Sequence, residues 1–367
     1  MRKPTLHDVA RAAGVSYATA DRVLNARGGV AAKSEARVRA AIEALGYTRD
    51  VHAANLSRRR LYRFRFLLPD GDHSFFRALR AAVLAEAGAR AGDRVRITLS
   101  EVPAFDAEAL ADALERVDPE ACDGLAIVAS GSARVSAAIA GLRAGGVAVV
   151  TLVSDAPGAE RDAYVGIDNL VAGRTAARLM RLGHTGRSGL VLPVVGARAA
   201  QDHAERLAGL EQSLSGAPGL ALLPVVEAFD SPSRMRALVG AALAREPGIS
   251  GIYSMGAGNR GLVEALRALG RPRPLVVLHE LVPHAREALE AGLVDAVIDQ
   301  KPVQEVAAAL DILRALADGR PAPAGRGAIT PAIYLPENLP ANLPANLPAC
   351  PARAEEDNNT TRTGGAA

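Results

Sequence analysis

Residues 5–30 read TLHDVARAAGVSYATADRVLNARGGV. Thr5 stands three residues before Asp8, the spacing of a capping box, in which each side chain satisfies the other residue's backbone N–H. Leu6, Val9, Ala10 and Ala13 recur at helical spacing, and Gly14 is placed to end the helix with positive φ. Ser16 then serves as the N-cap of a second helix, whose buried face is Ala20, Val23 and Leu24. So short a connection forces the two helices to cross steeply, which is helix-turn-helix geometry. A third helix, from about Ser34 through ARVRAAIEAL to Gly46, closes a three-helix core with Val38, Ile42 and Leu45.

In such a head the second helix offers its first turns to the major groove of DNA. Tyr17, Ala18 and Arg22 project from its outer face. Arg22 suits a guanine edge or a phosphate, and Thr19 and Asn25 suit phosphates. Thr5 and Ser16, at the helix starts, complete the DNA-facing set. The charge distribution agrees. The 367-residue chain carries a net charge of only +3, but residues 1–61 hold 12 Lys/Arg against 5 Asp/Glu, leaving 31 against 35 in the remainder. A basic head on an acidic body is a polyanion-binding arrangement.

The head resembles that of the lactose-repressor (LacI) family of regulators. It shares a D-V-A-x-x-A-G-V-S-x-x-T pattern, then R-V-L-N and a G-V before the third helix, and the likeness continues through ALGYTRDVHAANL at 44–56. The resemblance implies a hinge helix that forms when two subunits meet on DNA. Leu56 takes the position of the apolar wedge that opens a base step, with Ala53 one turn earlier against the minor-groove floor. One departure is Asp21, where the family usually has Ser; a carboxylate there either accepts from a cytosine amine or pairs with a nearby Arg. SRRRLYRFR at 57–65 supplies general phosphate attraction.

From Phe64 onward the pattern changes. Ten apolar runs, from FRFLLP at 64–69 through AYVGID at 163–168 and GLALLPVVEAF at 219–229 to VDAVIDQ at 294–300, alternate with amphipathic segments. Alternating strand and helix gives a parallel sheet covered on both faces, and ten strands suit two sheets of about five or six each. The expected fold is therefore a small all-α helix-turn-helix head plus an α/β two-lobe body built from two doubly wound parallel sheets. That body is similar to the periplasmic sugar-binding fold that the lactose-repressor family uses as its sensor. The expected boundaries are a DNA-binding domain at 1–48, a hinge or linker at 49–62, an effector-binding body at 63–339 and a disordered tail at 340–367 with its repeated N-L-P-A. Within the body, lobe 1 is expected at about 63–163 and 296–325, and lobe 2 at about 164–295 and 328–339. The crossings are expected at YVGIDN, at VDAVIDQKP and near ITPAIYLPENL.

Ligands of open parallel sheets sit beyond the carboxyl ends of the strands, and two facing lobes would share that space as a cleft. The residues expected there are Phe75, Phe76, Ser130, Asp155, Asp168, Arg206, Asn259, Glu280 and Gln300. Carboxylates, amides, a guanidinium and aromatic faces suit a polyhydroxylated ligand. The resemblance supports Arg206, in R-L-A-G-L, together with Glu280, where relatives usually have Asp, and Gln300. Asn259 lies in YSMGAGNRG, which departs from the commoner N-D-x-x-A-x-G loop. The partners so implied are a pseudo-palindromic double-stranded DNA operator, a small sugar or polyol and a second copy of the chain. The expected protein is a cytoplasmic, ligand-controlled repressor rather than an enzyme, with no cofactor and no membrane.

GAGNRG at 256–261 offers a competing reading. As G-x-G-x-x-G between an apolar run and a helical segment, followed by a second apolar run ending in Glu280, it matches a dinucleotide-binding fingerprint. That would make the chain an NAD(H)-sensing regulator or a dehydrogenase. Against this, the loop comes late in the chain, and little sequence remains after Glu280 for a complete nucleotide-binding half. HELVPH at 279–284 has its second His one residue too late for a zinc helix. Asp202, His203 and Ser213 lack the G-x-S-x-G elbow of a hydrolase and read as a solvated helix. Cys122 and Cys350 read as free thiols. The N-terminus lacks the apolar run of a signal peptide, which opposes a transport binding protein.

Overall fold

The computed structural model describes residues 4–24, 28–47, 60–71, 73–216, 219–256, 258–270 and 272–341. The chain divides into two units, 1–61 and 62–367. In the first, α1 (Leu6–Ala13) opens with the full capping box: Asp8 N–H donates to Thr5 Oγ1 at 3.3 Å, and Thr5 N–H donates to Asp8 Oδ2 at 2.9 Å. Gly14, at φ 58°, closes it, and a steep turn leads to α2 (Tyr17–Leu24). The third helix, α3 (Ala32–Leu45), starts two residues ahead of Ser34, because extended Ala31 takes the N-cap position without a side-chain bond. Val9, Ala13, Ala20, Val38 and Ala41 are buried between the three helices. Leu45 is not among them: it is 39% exposed, since α3 has 14 residues and outruns the eight-residue α1 and α2.

The second unit begins with the apolar strand β1 (Tyr62–Pro69), which pairs in parallel with β2 (Val95–Val102) and β3 (Gly124–Ile127). With β4 (Ala148–Leu152) and β5 (Ala163–Val165) they form a sheet in the order β2-β1-β3-β4-β5. Strands buried on both faces need helices on both sides. One face carries α4 (Ser74–Ala89) through Leu79 and Val83, and the other carries α5 (Ala107–Glu115) and α6 (Ala133–Ala144) through Leu110, Leu114 and Ile139. The second sheet runs β12-β11-β10-β9-β6-β7, with β8 beside β6. Its members are β6 (Gly189–Val195), β7 (Leu220–Leu222), β8 (Val226–Glu227), β9 (Ile249–Ser254), β10 (Leu275–His279), β11 (Ala296–Asp299) and β12 (Ala332–Tyr334). On one face lie α7 (Asn169–Gly183) and α8 (Gln201–Leu214), and on the other α9 (Pro232–Arg245), α10 (Asn259–Arg267) and α11 (Pro283–Glu290).

Several details depart from the sequence reading. The run at 219–229 breaks into β7 and β8, because Pro224 cannot donate to a ladder. β12 pairs antiparallel with β11, so the second sheet is parallel except at that edge. The chain leaves the first sheet after Val165 rather than at 164. It leaves the second after Asp299 rather than at 296, since β11 stays paired with β10. The helix that follows, α12 (Pro302–Ala317), buries Val306, Leu310 and Leu313 in the core of the first lobe. Residues 49–59 of the expected hinge at 49–62, and residues 342–367 of the expected tail at 340–367, lie outside the described residues.

α7 and α8 meet backbone to backbone. A Cβ at Gly173 would lie 2.0 Å from Arg206 O, and one at Gly209 would lie 2.1 Å from Leu170 O. Gly173→Ala or Gly209→Ala must therefore force the helices apart and is expected to destabilise the body by about 1–3 kcal/mol. Gly141→Ala, where a Cβ meets nothing within 4 Å, is the control and should be neutral or slightly stabilising. Thermal melts of the three variants check this.

Candidate functional site

The head presents a compact polar face. Ser16 Oγ accepts from Thr19 N–H at 3.1 Å and lies 2.8 Å from Thr19 Oγ1, so the Thr19 hydroxyl is turned toward the cap. Ala18 and Arg22 are exposed, and Tyr17 is 47% exposed with its ring stacked on His7 at 4.5 Å. Arg37 Nη2 donates to Gly14 O at 3.1 Å and pins the turn to α3. Thr5 is half-buried, with its hydroxyl in the α1 cap. Asn25, Ala53 and Leu56 lie outside the described residues.

In the body, polar side chains gather at the carboxyl ends of the strands. Among the described residues, six non-glycine residues there adopt positive φ: Phe105, Val153, Phe229, Asp230, Glu280 and Lys301. Such conformations are costly, above all for a β-branched residue, and persist only where surrounding structure enforces them. At the centre is Arg206, 2% exposed, in the second turn of α8 rather than at its start. Its Nε donates to Asn169 Oδ1 at 2.8 Å and its Nη1 to Met255 O at 2.6 Å, and Nη2 stands 3.9 Å from Asp202 Oδ2 with no hydrogen-bond partner.

Around it are buried acids. Glu280 accepts from Gln300 Nε2 at 2.6 Å. Burial, aggravated by Asp299, pushes its carboxyl up to about 8. Glu305, on α12, is fully buried; burial, then Glu280 and Asp299, raise its carboxyl well above the usual range. Among the described residues, neither Glu305 oxygen accepts a hydrogen bond, and Gln300 Oε1 is likewise without a donor. His279 is bonded to the Tyr253 hydroxyl at 2.7 Å, and burial lowers it well below its ordinary value. Asp202 and His203 are buried, 8% and 6% exposed, not on a solvated helix face: the first turns of α8 point into the cleft. On the first lobe, Ser130 Oγ at the end of β3 and Ser154 Oγ just past β4 have no hydrogen-bond partner.

Other expected contacts have structural duties. Asp155 is gripped by Arg161, whose Nε donates at 2.7 Å, and by the Thr151 hydroxyl at 2.7 Å. Asp168 is exposed and caps α7 by accepting from Val171 N–H at 2.9 Å. Phe75 is 3% exposed in the first-lobe core, so its faces are already covered; Phe76 is half-buried, 4.7 Å from the His73 ring. Asn259 accepts from Ser254 Oγ at 2.7 Å and donates to Gly256 O at 3.3 Å, which makes it a brace for its own loop.

Residues the sequence reading overlooked join the lobes. His73 Nδ1 accepts from Phe75 N–H at 3.1 Å, so Nε2 carries the ring proton and faces Asp230 Oδ2 at 3.3 Å across the cleft. The Phe105 ring sits 6.3 Å from that of His203. A residue directly before a helix at a strand's carboxyl end was the available signal for His73. For Glu305 it was an acid sharing helical spacing with Ala309 and Ile312. The GAGNRG glycines also gain a reason. A Cβ at Gly256 would lie 2.8 Å from Gly196 N, one at Gly258 3.1 Å from Ser231 O, and one at Gly261 1.8 Å from Pro232 O. Each glycine in this loop is required by neighbouring protein backbone.

Comparison with known proteins fits this geometry. Residues 64–321 match the family model of the periplasmic binding protein domain. The chain belongs to that family. Residues 5–50 match the model of bacterial regulatory proteins, lacI family. The body is thus a periplasmic-binding-protein domain and the head a lacI-family helix-turn-helix. Among curated relatives, the HTH-type transcriptional regulator DegA of Bacillus subtilis (strain 168) is 28% identical over 59% of this chain and 62% of its own length. The maltose regulon regulatory protein MalI of Escherichia coli (strain K12) is 47% identical over 15% of this chain and 16% of its own. The chain thus spans less than two thirds of these relatives. Among solved structures, an ABC transporter solute binding protein from Burkholderia graminis C4D1M in complex with D-arabinose has a TM-score of 0.70 at 21% identity, over 77% of this chain and 97% of that one. One from Bacillus halodurans C-125 with bound myo-inositol has 0.68 at 17% identity, over 76% and 95%. These likenesses show the shared fold. Among the described residues no helix is long and apolar enough to cross a membrane.

The raised Glu280 carboxyl has a consequence for stability. The unfolded group loses its proton near 4.5 and the folded one near 8, so the folded state holds the extra proton between these values. Its contribution to stability therefore falls as pH rises through that window, by at most about 1.4 kcal/mol per pH unit. Glu280→Gln should flatten this part of the melting-temperature profile relative to the unmodified chain.

Proposed function

We propose that this protein is a transcription regulator, and a repressor, that binds a pseudo-palindromic operator as a homodimer and is controlled by a small sugar or polyol held between the lobes of its body. One observation carries the reading: a single chain joins a lacI-family head with Tyr17, Ala18 and Arg22 exposed to a periplasmic-binding-protein body whose strand ends converge on buried polar groups. The kinship with DegA and MalI supports the regulatory role, and the sugar and inositol complexes of structural neighbours support the ligand class.

On this reading Arg206, Glu280 and Gln300, with Ser130 and Ser154 opposite, take the ligand's hydroxyls. A polyol supplies both the donors that Gln300 Oε1 lacks and the acceptor that Arg206 Nη2 lacks. Asn259, Asp155 and Asp168 shape the cleft through their own loops and caps. Arg22 reads a base edge or a phosphate, while Thr5, Ser16 and Thr19 set the helix starts near the backbone, with Asn25, Ala53 and Leu56 completing the DNA-side set. Control is a coupling free energy between ligand and operator, and it must be reciprocal: whatever factor the ligand changes operator affinity by, the operator changes ligand affinity by the same factor.

The deciding experiment selects binding sites from random duplex DNA with the full chain, then measures affinity for the selected site with and without sugars that raise the melting temperature. A defined palindromic site and a sugar-dependent affinity are expected. Enrichment of no site, with or without sugars, overturns the reading. Arg22→Ala should lose about 1–3 kcal/mol of discrimination at one base pair of each half-site if it reads guanine, or weaken all sequences alike if it holds phosphate. An unchanged affinity would remove Arg22 from the interface.

A further inference from the structure

The cleft's unmatched groups are unevenly divided between acceptors and donors. Among the described residues, Glu305 Oε1, Glu305 Oε2 and Gln300 Oε1 are buried acceptors without donors, against the partnerless nitrogens Arg206 Nη2 and His279 Nδ1, while the Ser130 and Ser154 hydroxyls can donate or accept. The charges are uneven as well. Glu305 is faced by Glu280 from the end of β10, Asp299 from β11, and Asp202 and Arg206 from α8, and Tyr164 feels its field. Asp202 shares Arg206 and lies 3.7 Å from His203. Asp299 already accepts the backbone N–H groups of Leu281 and Lys301. Glu280 accepts from Gln300 and lies 3.9 Å from His279 Nδ1, a ring whose charged form burial disfavours, whereas both Glu305 oxygens are without a hydrogen-bond partner among the described residues.

A fully buried carboxyl with two bare oxygens is costly unless it is protonated or meets a cation. A hydroxyl offers one donor, whereas an ammonium offers three donors, no acceptor and the missing charge. Resting on the reading of the cleft as a sugar or polyol site, we propose that the effector carries a protonated amine, received by Glu305 and Glu280 with Gln300. The body then distinguishes an amino sugar or amino polyol from its neutral counterpart. Glu305 lies on α12, which packs into the first lobe, and Glu280 follows β10 of the second, near enough to raise the Glu305 carboxyl; on the proposal the two share one ammonium.

The test uses the full-length chain and calorimetric titration with matched pairs: D-glucose and D-glucosamine, D-galactose and D-galactosamine, myo-inositol and an amino-deoxy-inositol. In at least one pair the amine is expected to bind at least about tenfold more tightly, the scale of a charge-assisted hydrogen bond. Its affinity should rise with pH toward about 8 as Glu280 ionises, for as long as the amine itself stays protonated, while that of the neutral member stays flat. Glu305→Gln and Glu305→Leu should each erase the preference. The Leu variant should also melt no lower than the unmodified chain, since it removes a buried carboxyl whose two oxygens have no hydrogen-bond partner among the described residues. If in every pair that binds the neutral sugar is held as tightly as its amine, the cationic effector is overturned and the sugar reading stands. Full retention of the amine preference in both Glu305 variants overturns it too. Failure of every member of every pair to bind removes both.

Discussion

The burial of Arg206 constrains everything around it. A guanidinium at 2% exposure gives up its hydration and is tolerable only when its donors and charge are met inside the protein. Asn169 and the Met255 carbonyl meet two of the donors, and Asp202 faces the third nitrogen. Those three partners come from α7, the end of β9 and α8 itself, so the arginine ties the first helix after the lobe crossing to the centre of the second sheet. The backbone contact at Gly173 and Gly209 is what lets α8 lie close enough for this. Removing the guanidinium would leave Asp202, Glu280 and Glu305 with less positive charge in a site that already has too little.

Strain accompanies this arrangement. Val153, Asp230, Glu280 and Lys301 sit in left-handed conformations at the strand ends, where simple turns would favour glycine. At Asp230, Glu280 and Lys301 the unusual backbone belongs to a strand-to-helix connection, and at Val153 to the link between β4 and β5. The His73–Asp230 contact and the Phe105–His203 ring pair then draw the lobes together. The facing surfaces of the two lobes are therefore polar, strained and, among the described residues, incompletely paired.

The head follows simpler rules. Its stability comes from a capping box, a glycine stop and a small aliphatic core, and its exposed face comes from helical periodicity alone. These are local relations, and local relations are what a sequence displays. Thr5 with Asp8, Gly14, Ser16 and the 6–9–10–13 spacing are readable by inspection, and each holds in the structure. Leu45 misled because periodicity reports direction, not whether a neighbouring helix extends far enough to cover a residue.

The same division runs through the body. Alternating apolar runs and amphipathic segments determined a two-sheet α/β fold, since a strand buried on both faces must be apolar throughout and its covering helices must be one-sided. The sequence also placed polar groups at strand ends, and Arg206, Glu280 and Gln300 are buried there. Tertiary structure alone decided which polar residues are already engaged. Asp155 belongs to Arg161, Asp168 to the α7 cap and Asn259 to its own loop, whereas His73, Asp202, His203, Asp230 and Glu305 come into the cleft. Only the structure showed that the GAGNRG glycines answer to Gly196, Ser231 and Pro232. A residue's type announces what it can bond to. Whether that capacity is still free depends on partners tens or hundreds of residues away, and their approach is fixed by packing rather than by spacing along the chain.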